Sequence, residues 1–172
     1  MLHAGIVGHR YLRGTATSGF VVRQCSAILR RLQARHTAVT ALSAIAEGAD
    51  TLFAEAALAL HIPLDIVQPF EGYASDFSTT EAQRRYERLR TAACTETKLG
   101  YPERSNEAYV AAMDWIVGHS DILIAAWNSF PAVGTGPTYH AVRKVIQTNR
   151  PWIHLNVVDL SVTFHSFRSM CF

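Results

Sequence analysis

The chain has 172 residues, 49% of them hydrophobic, and its 16 basic and 14 acidic side chains leave a formal net charge of +2. That is enough apolar material for one globular core. No segment reaches the roughly 18 consecutive apolar residues of a membrane span, and the near-neutral balance with dispersed basic residues argues against nucleic acid or an acidic membrane surface as partner. The N-terminus enters a strand pattern without the basic stretch, apolar core and cleavage site of a secretory signal. Cys25, Cys94 and Cys171 are odd in number and far apart, with no C-x-x-C pair. The expectation is a single cytoplasmic domain with unpaired cysteines, no metal and no cofactor.

Strand and helix signals alternate along the chain in the rhythm of a parallel sheet covered on both faces. The first strand is predicted over residues 2–7. A helix follows over 18–34, with Val21, Cys25, Ile28, Leu29 and Leu32 at helical spacing and its arginines left to solvent. A second strand at 38–44, a helix from Gly48 to 60 and a third strand at 64–67 come next. Residues 71–78, which include Gly72, Tyr73, Asp76 and Phe77, have the composition of a lid or pocket wall. A third helix is predicted over 79–93, a short extended piece over 95–99 and a fourth helix over 105–118. The unbroken apolar run ending at Trp127 then gives a buried strand. A Gly-Thr-rich turn leads to a fifth helix at 138–148, closed by Asn149-Arg150-Pro151, and residues 152–157 form one more strand.

Ligands of open parallel sheets sit beyond the carboxyl ends of the strands. Three such exits carry glycine here: Gly5-Ile-Val-Gly8-His9-Arg10, Ser43-Ala-Ile-Ala-Glu47-Gly48-Ala-Asp50, and the loop from Trp127 through Gly134, Thr135 and Gly136 to Thr138. Helix-opening N–H groups lack intrahelical partners and carry the positive end of the dipole, and glycine lets an anion approach them. Arg10 fits either a bidentate phosphate contact or an ion pair with a carboxylate, and His9 stands beside it. Glu47 is a helix-opening acid or a carboxylate at the pocket rim, Asp50 reads as a first-turn acid, and Trp127 is core or a stacking platform for a base. His140 lies near the glycine turn without a second His or Cys at ligand spacing.

In that order, Gly5-Ile-Val-Gly-His-Arg, Ala46-Glu-Gly-Ala-Asp, Gln68-Pro-Phe and Ser120-Asp-Ile-Leu-Ile-Ala-Ala-Trp with its following Gly-Thr turn, the chain resembles the SLOG superfamily over residues 2–157. This Rossmann-like group holds the LOG phosphoribohydrolases, molybdenum-cofactor carriers, DNA-processing proteins and sensors of nucleotide-derived signals. The resemblance implies an α/β Rossmann-like domain at 1–158, mostly parallel, with helices on both faces, followed by a tail at 159–172. It departs from the LOG pattern Pro-Gly-Gly-x-Gly-Thr-x-x-Glu. Three residues after Thr135 stands Thr138, three after Thr138 stands Ala141, and Pro137 removes an N–H from the turn.

The sequence therefore predicts binding of a nucleotide or nucleotide-derived small molecule, as in a sensor. Phosphate would lie on the turn of Gly134, Thr135, Gly136 and Thr138 and near Arg10, with Glu47 toward the ribose and Trp127 toward the base, and Gly8, His9 and Gly48 complete the expected ligand-binding set. The alternative is a nucleotide N-glycosidase or LOG-like phosphoribohydrolase with Glu47 as its carboxylate. A DNA-binding module is the weakest reading, because the basic residues are scattered. Leu160, Val162 and Phe164 alternate with polar residues at the period of a half-buried strand, so the tail is expected to complete a sheet edge or join a homodimer or larger homo-oligomer, as the resemblance implies.

Overall fold

The computed structural model describes residues 1–129 and 136–165. The chain alternates β1 (Leu2–Gly8), α1 (Gly14–Arg35), β2 (Val39–Ser43), α2 (Ala49–Ala59) and β3 (Leu64–Phe70). A 3-10 turn (Tyr73–Asp76), α3 (Thr80–Ala92), β4 (Thr95–Tyr101), α4 (Asn106–His119), β5 (Ile122–Trp127), α5 (Pro137–Gln147), β6 (Trp152–Asn156) and β7 (Ser161–His165) follow. The strands form one sheet in the order β4-β3-β2-β1-β5-β6-β7, parallel throughout except for the antiparallel pair β6–β7. This is the α/β Rossmann-like fold the sequence predicts.

The topology follows from right-handed crossovers. From β1 the chain winds outward to β4, then α4 carries it back across the sheet to β5 on the other side of β1. Reversing the direction of winding puts the later helices on the opposite face. Two apolar clusters record this. Ile6, Ile122, Ile124 and Ile153 pack with Val21, Leu29, Phe53 and Leu89 from α1, α2 and α3, whereas Val7, Leu123, Ala125 and Trp152 pack with Ala112, Ile116, Val142 and Val145 from α4 and α5. The apolar run of β5 is thus explained: alternate residues feed two different cores.

Local chemistry sets the helix starts. The Thr79 and Ser105 side chains cap α3 and α4 by accepting from the N–H of Ala82 and Ala108, each at 3.1 Å, and Pro137 opens α5 where a missing N–H costs nothing. Some boundaries differ from those predicted. Helix α1 begins at Gly14, four residues ahead of Ser18, because its first turn carries Thr15 and Thr17 and no apolar periodicity. Strand β3 continues through Gln68 and Pro69 to Phe70, with a register shift against β4 between Gln68 and Phe70 that lets a proline sit in a strand. Residues 161–165 of the tail pair with β6 of the same chain.

Candidate functional site

The reversal of winding leaves a crevice where β1 and β5 part. There the exits of β1, β2 and β3, the N-terminus of α5 and one side of α4 enclose a cavity of about 310 Å³. Gly8, His9, Arg10 and Tyr11 from the β1 exit, Ala44, Ala46 and Asp50 from the β2 exit, and Pro69 and Tyr73 after β3 form one side of it. Arg104, Asn106, Tyr109, Ala112 and Met113 around α4, with Pro137 and Thr138, form the other. Strand exits tens of residues apart meet here because parallel strands all end on the same edge of the sheet.

A charged cluster ties the wall together. The Asp76 carboxylate, whose side chain is 3% exposed, forms an ion pair with Arg10 Nη2, a second with Arg104 Nε at 3.3 Å, and accepts from the Tyr109 hydroxyl at 2.6 Å. Arg10 lies over the Tyr109 ring, 5.1 Å from its centroid, and its Nη2 reaches the Tyr73 hydroxyl at 3.5 Å. Burial acts against the Arg10 charge, but Tyr73, Asp76 and Tyr109 more than offset it, and the guanidinium is held charged beyond its ordinary range. Arg10 thus takes the second of its two sequence readings, as the partner of a carboxylate. Arg104, 69% exposed at the mouth, is the more accessible cation.

Asp50 lines the cavity itself. It stands in the first turn of α2, only 3% exposed. Burial pushes its carboxyl up to about 7, against the opposing pull of the Arg10 charge and a backbone hydrogen bond at Ala46. Two buried neighbours are also moved upward by burial, the Cys25 thiol to about 12 and the Tyr73 phenol well above its ordinary range.

The residues singled out from sequence divide into groups. Gly8, His9, Arg10 and Thr138 line the cavity. Thr138 Oγ1 donates to the Gly8 carbonyl at 3.2 Å, which ties α5 to β1, and the His9 ring Nε2 accepts from the Asn128 N–H at 3.3 Å. Glu47 and Gly48 line an adjoining hollow with Arg10, Tyr11 and Arg85, outside the cavity itself. Gly48 has φ +86°, and a Cβ there would stand 2.3 Å from the carbonyl oxygens of His9 and Arg10. Its lack of a side chain lets the β1 exit and the start of α2 cross. Trp127 lies against Tyr139 and His154, with ring centroids 6.1 and 5.9 Å away, and is not among the cavity residues. Gly136 is the N-cap of α5, and Gly134 and Thr135 lie outside the described residues. His140 pairs with Asp114 at 2.8 Å, and among the described residues no group of three metal-ligating side chains converges.

Sequence reasoning missed Asp50, Arg104 and Tyr109 as cavity groups. The pocket-wall composition of residues 71–78 was the available signal for Tyr73 and Asp76. For Arg104 and Tyr109, which flank the start of α4, there was none.

Fold and cavity together define a Rossmann-like α/β domain with a ligand-sized crevice at its topological switch point. No protein-family profile and no curated protein matches the chain. Solved structures do. DNA processing protein A from Helicobacter pylori superposes with a TM-score of 0.62 at 14% identity, covering 89% of this chain and 64% of that one. The same protein from Streptococcus pneumoniae gives 0.63 at 14% identity, covering 89% and 50%. The protein TM1055 gives 0.56 at 12% identity, covering 88% and 72%. The chain therefore spans about two thirds and one half of the two DNA-processing proteins it is similar to. These likenesses bear out the SLOG resemblance at the level of fold. Among the described residues no helix is long and apolar enough to cross a membrane.

One expectation is overturned. Small net charge and dispersed basic residues argued against nucleic acid, yet the Helicobacter pylori protein, which shares this fold, binds single-stranded DNA. Net charge is a poor guide here, because a single strand is held by local cations and stacking groups in a groove that the charge of the whole chain does not report.

Proposed function

We propose that the chain binds a nucleotide or nucleotide-derived small molecule in the switch-point cavity and acts as a sensor of it. The observation that carries this reading is the cavity itself. At the exits of β1, β2 and β3 and the opening of α5, it combines the cations Arg10 and Arg104, a buried acid, and apolar and aromatic walls from Pro69, Tyr109 and Met113. That mixture suits a ligand with an anionic end and a polar, partly flat body. Calorimetric titration with nucleoside monophosphates, diphosphates and nucleosides, alongside a single-stranded oligonucleotide, tests it. Saturable binding of a nucleotide, tighter than its nucleoside and lost in Arg104→Ala, is the expected result. Binding of the oligonucleotide alone, or of none of these, would sink the reading.

A hydrolase of N-glycosidic bonds is the second reading, and Asp50 is the observation that favours it. A buried carboxyl that titrates near neutrality beside a ligand cavity is suited to acid–base work, whereas Glu47 lines the neighbouring hollow. Chromatography of nucleoside monophosphates incubated with the protein decides between binding and turnover. Free base that disappears in Asp50→Asn and persists in Glu47→Gln would establish the hydrolase with Asp50 in the role the sequence gives to Glu47.

A further inference from the structure

Three side chains that line the cavity, Arg10, Arg104 and Tyr109, converge on a carboxylate that does not line it. Asp76 stands behind the wall, 3% exposed, and bridges a guanidinium from the β1 exit to one just ahead of α4. Water and salt screen a buried charge poorly, so this carboxylate cancels one of the two positive charges that the cavity faces. The other described groups on the cavity add no positive charge. His9 accepts a hydrogen bond through Nε2 and is therefore neutral, Tyr73 is kept protonated by burial, and Asp50, where ionised, lowers the sum further. Among the described residues, two guanidiniums less one carboxylate leave one positive charge at most.

The neutral donors at the rim are few as well. Pro137 has no N–H, the Thr138 hydroxyl donates to the Gly8 carbonyl at 3.2 Å, and the Ala49 N–H donates to the His9 carbonyl at 3.1 Å. A terminal phosphate, with nearly two negative charges at neutral pH, exceeds what this wall can compensate, whereas a phosphodiester with one matches it. Resting on the nucleotide-binding reading, we propose that Asp76 is the specificity-determining residue of the cavity: by neutralising one guanidinium from behind, it favours a ligand whose phosphate is a singly charged diester over one that ends in a phosphomonoester. The same carboxylate fixes where the remaining positive charge lies. It holds Arg10 against the wall with Tyr73 and Tyr109, and leaves Arg104 at the mouth as the more accessible cation to meet the phosphate.

The test is calorimetry on the whole chain at neutral pH with the four nucleoside 5′-monophosphates, their 5′-methyl esters, their 3′,5′-cyclic forms and the parent nucleosides. A monophosphate and its methyl ester differ by one charge and one methyl group, so their ratio reads charge selection. In the unmodified protein the diesters of the nucleoside that binds should exceed its monophosphate by about tenfold or more. In Asp76→Asn, which keeps the shape of the side chain and removes its charge, that ratio should fall to about twofold or reverse. In Arg104→Gln, at an exposed position, Asp76 cancels the guanidinium that remains, and the methyl ester should bind within about twofold of the nucleoside. A monophosphate as tightly bound as its methyl ester in the unmodified protein overturns the proposal and leaves nucleotide binding intact, a result that needs no variant to fold. An undiminished preference for the diester in Asp76→Asn, or a methyl ester that keeps a lead of about tenfold over the nucleoside in Arg104→Gln, overturns the role of Asp76. Binding of none of these compounds, or of a single-stranded oligonucleotide alone, overturns the nucleotide reading and the proposal together.

Discussion

Asp50 has a consequence for stability that is independent of any ligand. In the unfolded chain it ionises near 3.8, in the folded chain near 7, so between those values the folded state holds a proton that the unfolded state has lost. Stability must fall as pH rises through that window and level off above it. Asp50→Asn has no proton to lose. It should be more stable than the unmodified protein at pH 8 by on the order of 2–4 kcal/mol and no more stable at pH 4, read from urea unfolding at both values. A difference that does not vary with pH would show that Asp50 is solvated in the folded state. Arg10 gives the opposite result. Arg10→Ala leaves the Asp76 carboxylate with only Arg104 and Tyr109, and should cost about 2–4 kcal/mol, with most of the loss removed when Asp76→Asn is made as well. The ion pair of Arg10 is one of its two readings from the sequence, but the burial of Asp50 was not legible there. A first-turn acid commonly stands in water at a helix opening, whereas Asp50 is buried in the wall of a cavity that residues from the β1 and β3 exits also line.

At the scale of elements, the glycines illustrate what a sequence leaves undecided. A glycine after a strand marks a close approach without saying what approaches. For Gly48 it is the backbone of the β1 exit, and for Gly8 it is Ala49, whose Cβ would lie 2.4 Å from an added Cβ. The sequence places both glycines in the ligand-binding set, and in the structure both serve the packing of α2 against β1. Gly48→Ala should therefore cost about 2–4 kcal/mol, since the strained φ and the collision with two carbonyls add. Gly14→Ala, at φ +79° with open space around it, should cost only about 1 kcal/mol. Similar losses for the two in thermal unfolding would mean that α2 can shift to make room. The strands were easier to read, because the two cores demand apolar residues on both faces of β5, and that produces an unbroken run.

For the whole molecule, the sheet ends on β7, five residues that place His165 in a flat stack on Trp152, 4.2 Å between centroids. Deleting residues 160–172 would leave β6 as the edge, with Leu155 losing its cross-strand partner Val162. The truncated chain should melt several degrees lower and associate more readily, as light scattering and a thermal scan would show. An unchanged melting temperature and assembly state would mean that β7 contributes nothing to either. The order of the seven strands was not legible, because alternation of strand and helix fixes parallel pairing without fixing on which side of β1 each strand is added.

Strand β1 sits at the centre of the sheet, paired on one side with β2 and on the other with β5, whose first residue is Ile122. During synthesis the second partner arrives only after more than a hundred further residues have been made, on the order of ten seconds at about 5–20 residues per second. For that interval the nascent chain carries an apolar strand with one unsatisfied edge, and the half of the core that β5 and α5 complete has no lid. Birth of this protein is thus its most hazardous moment. A ribosome that stalls before Ile122 would release a fragment with a ready template for aggregation, whereas one that stalls after Trp127 would release a chain whose central strand is already closed on both sides.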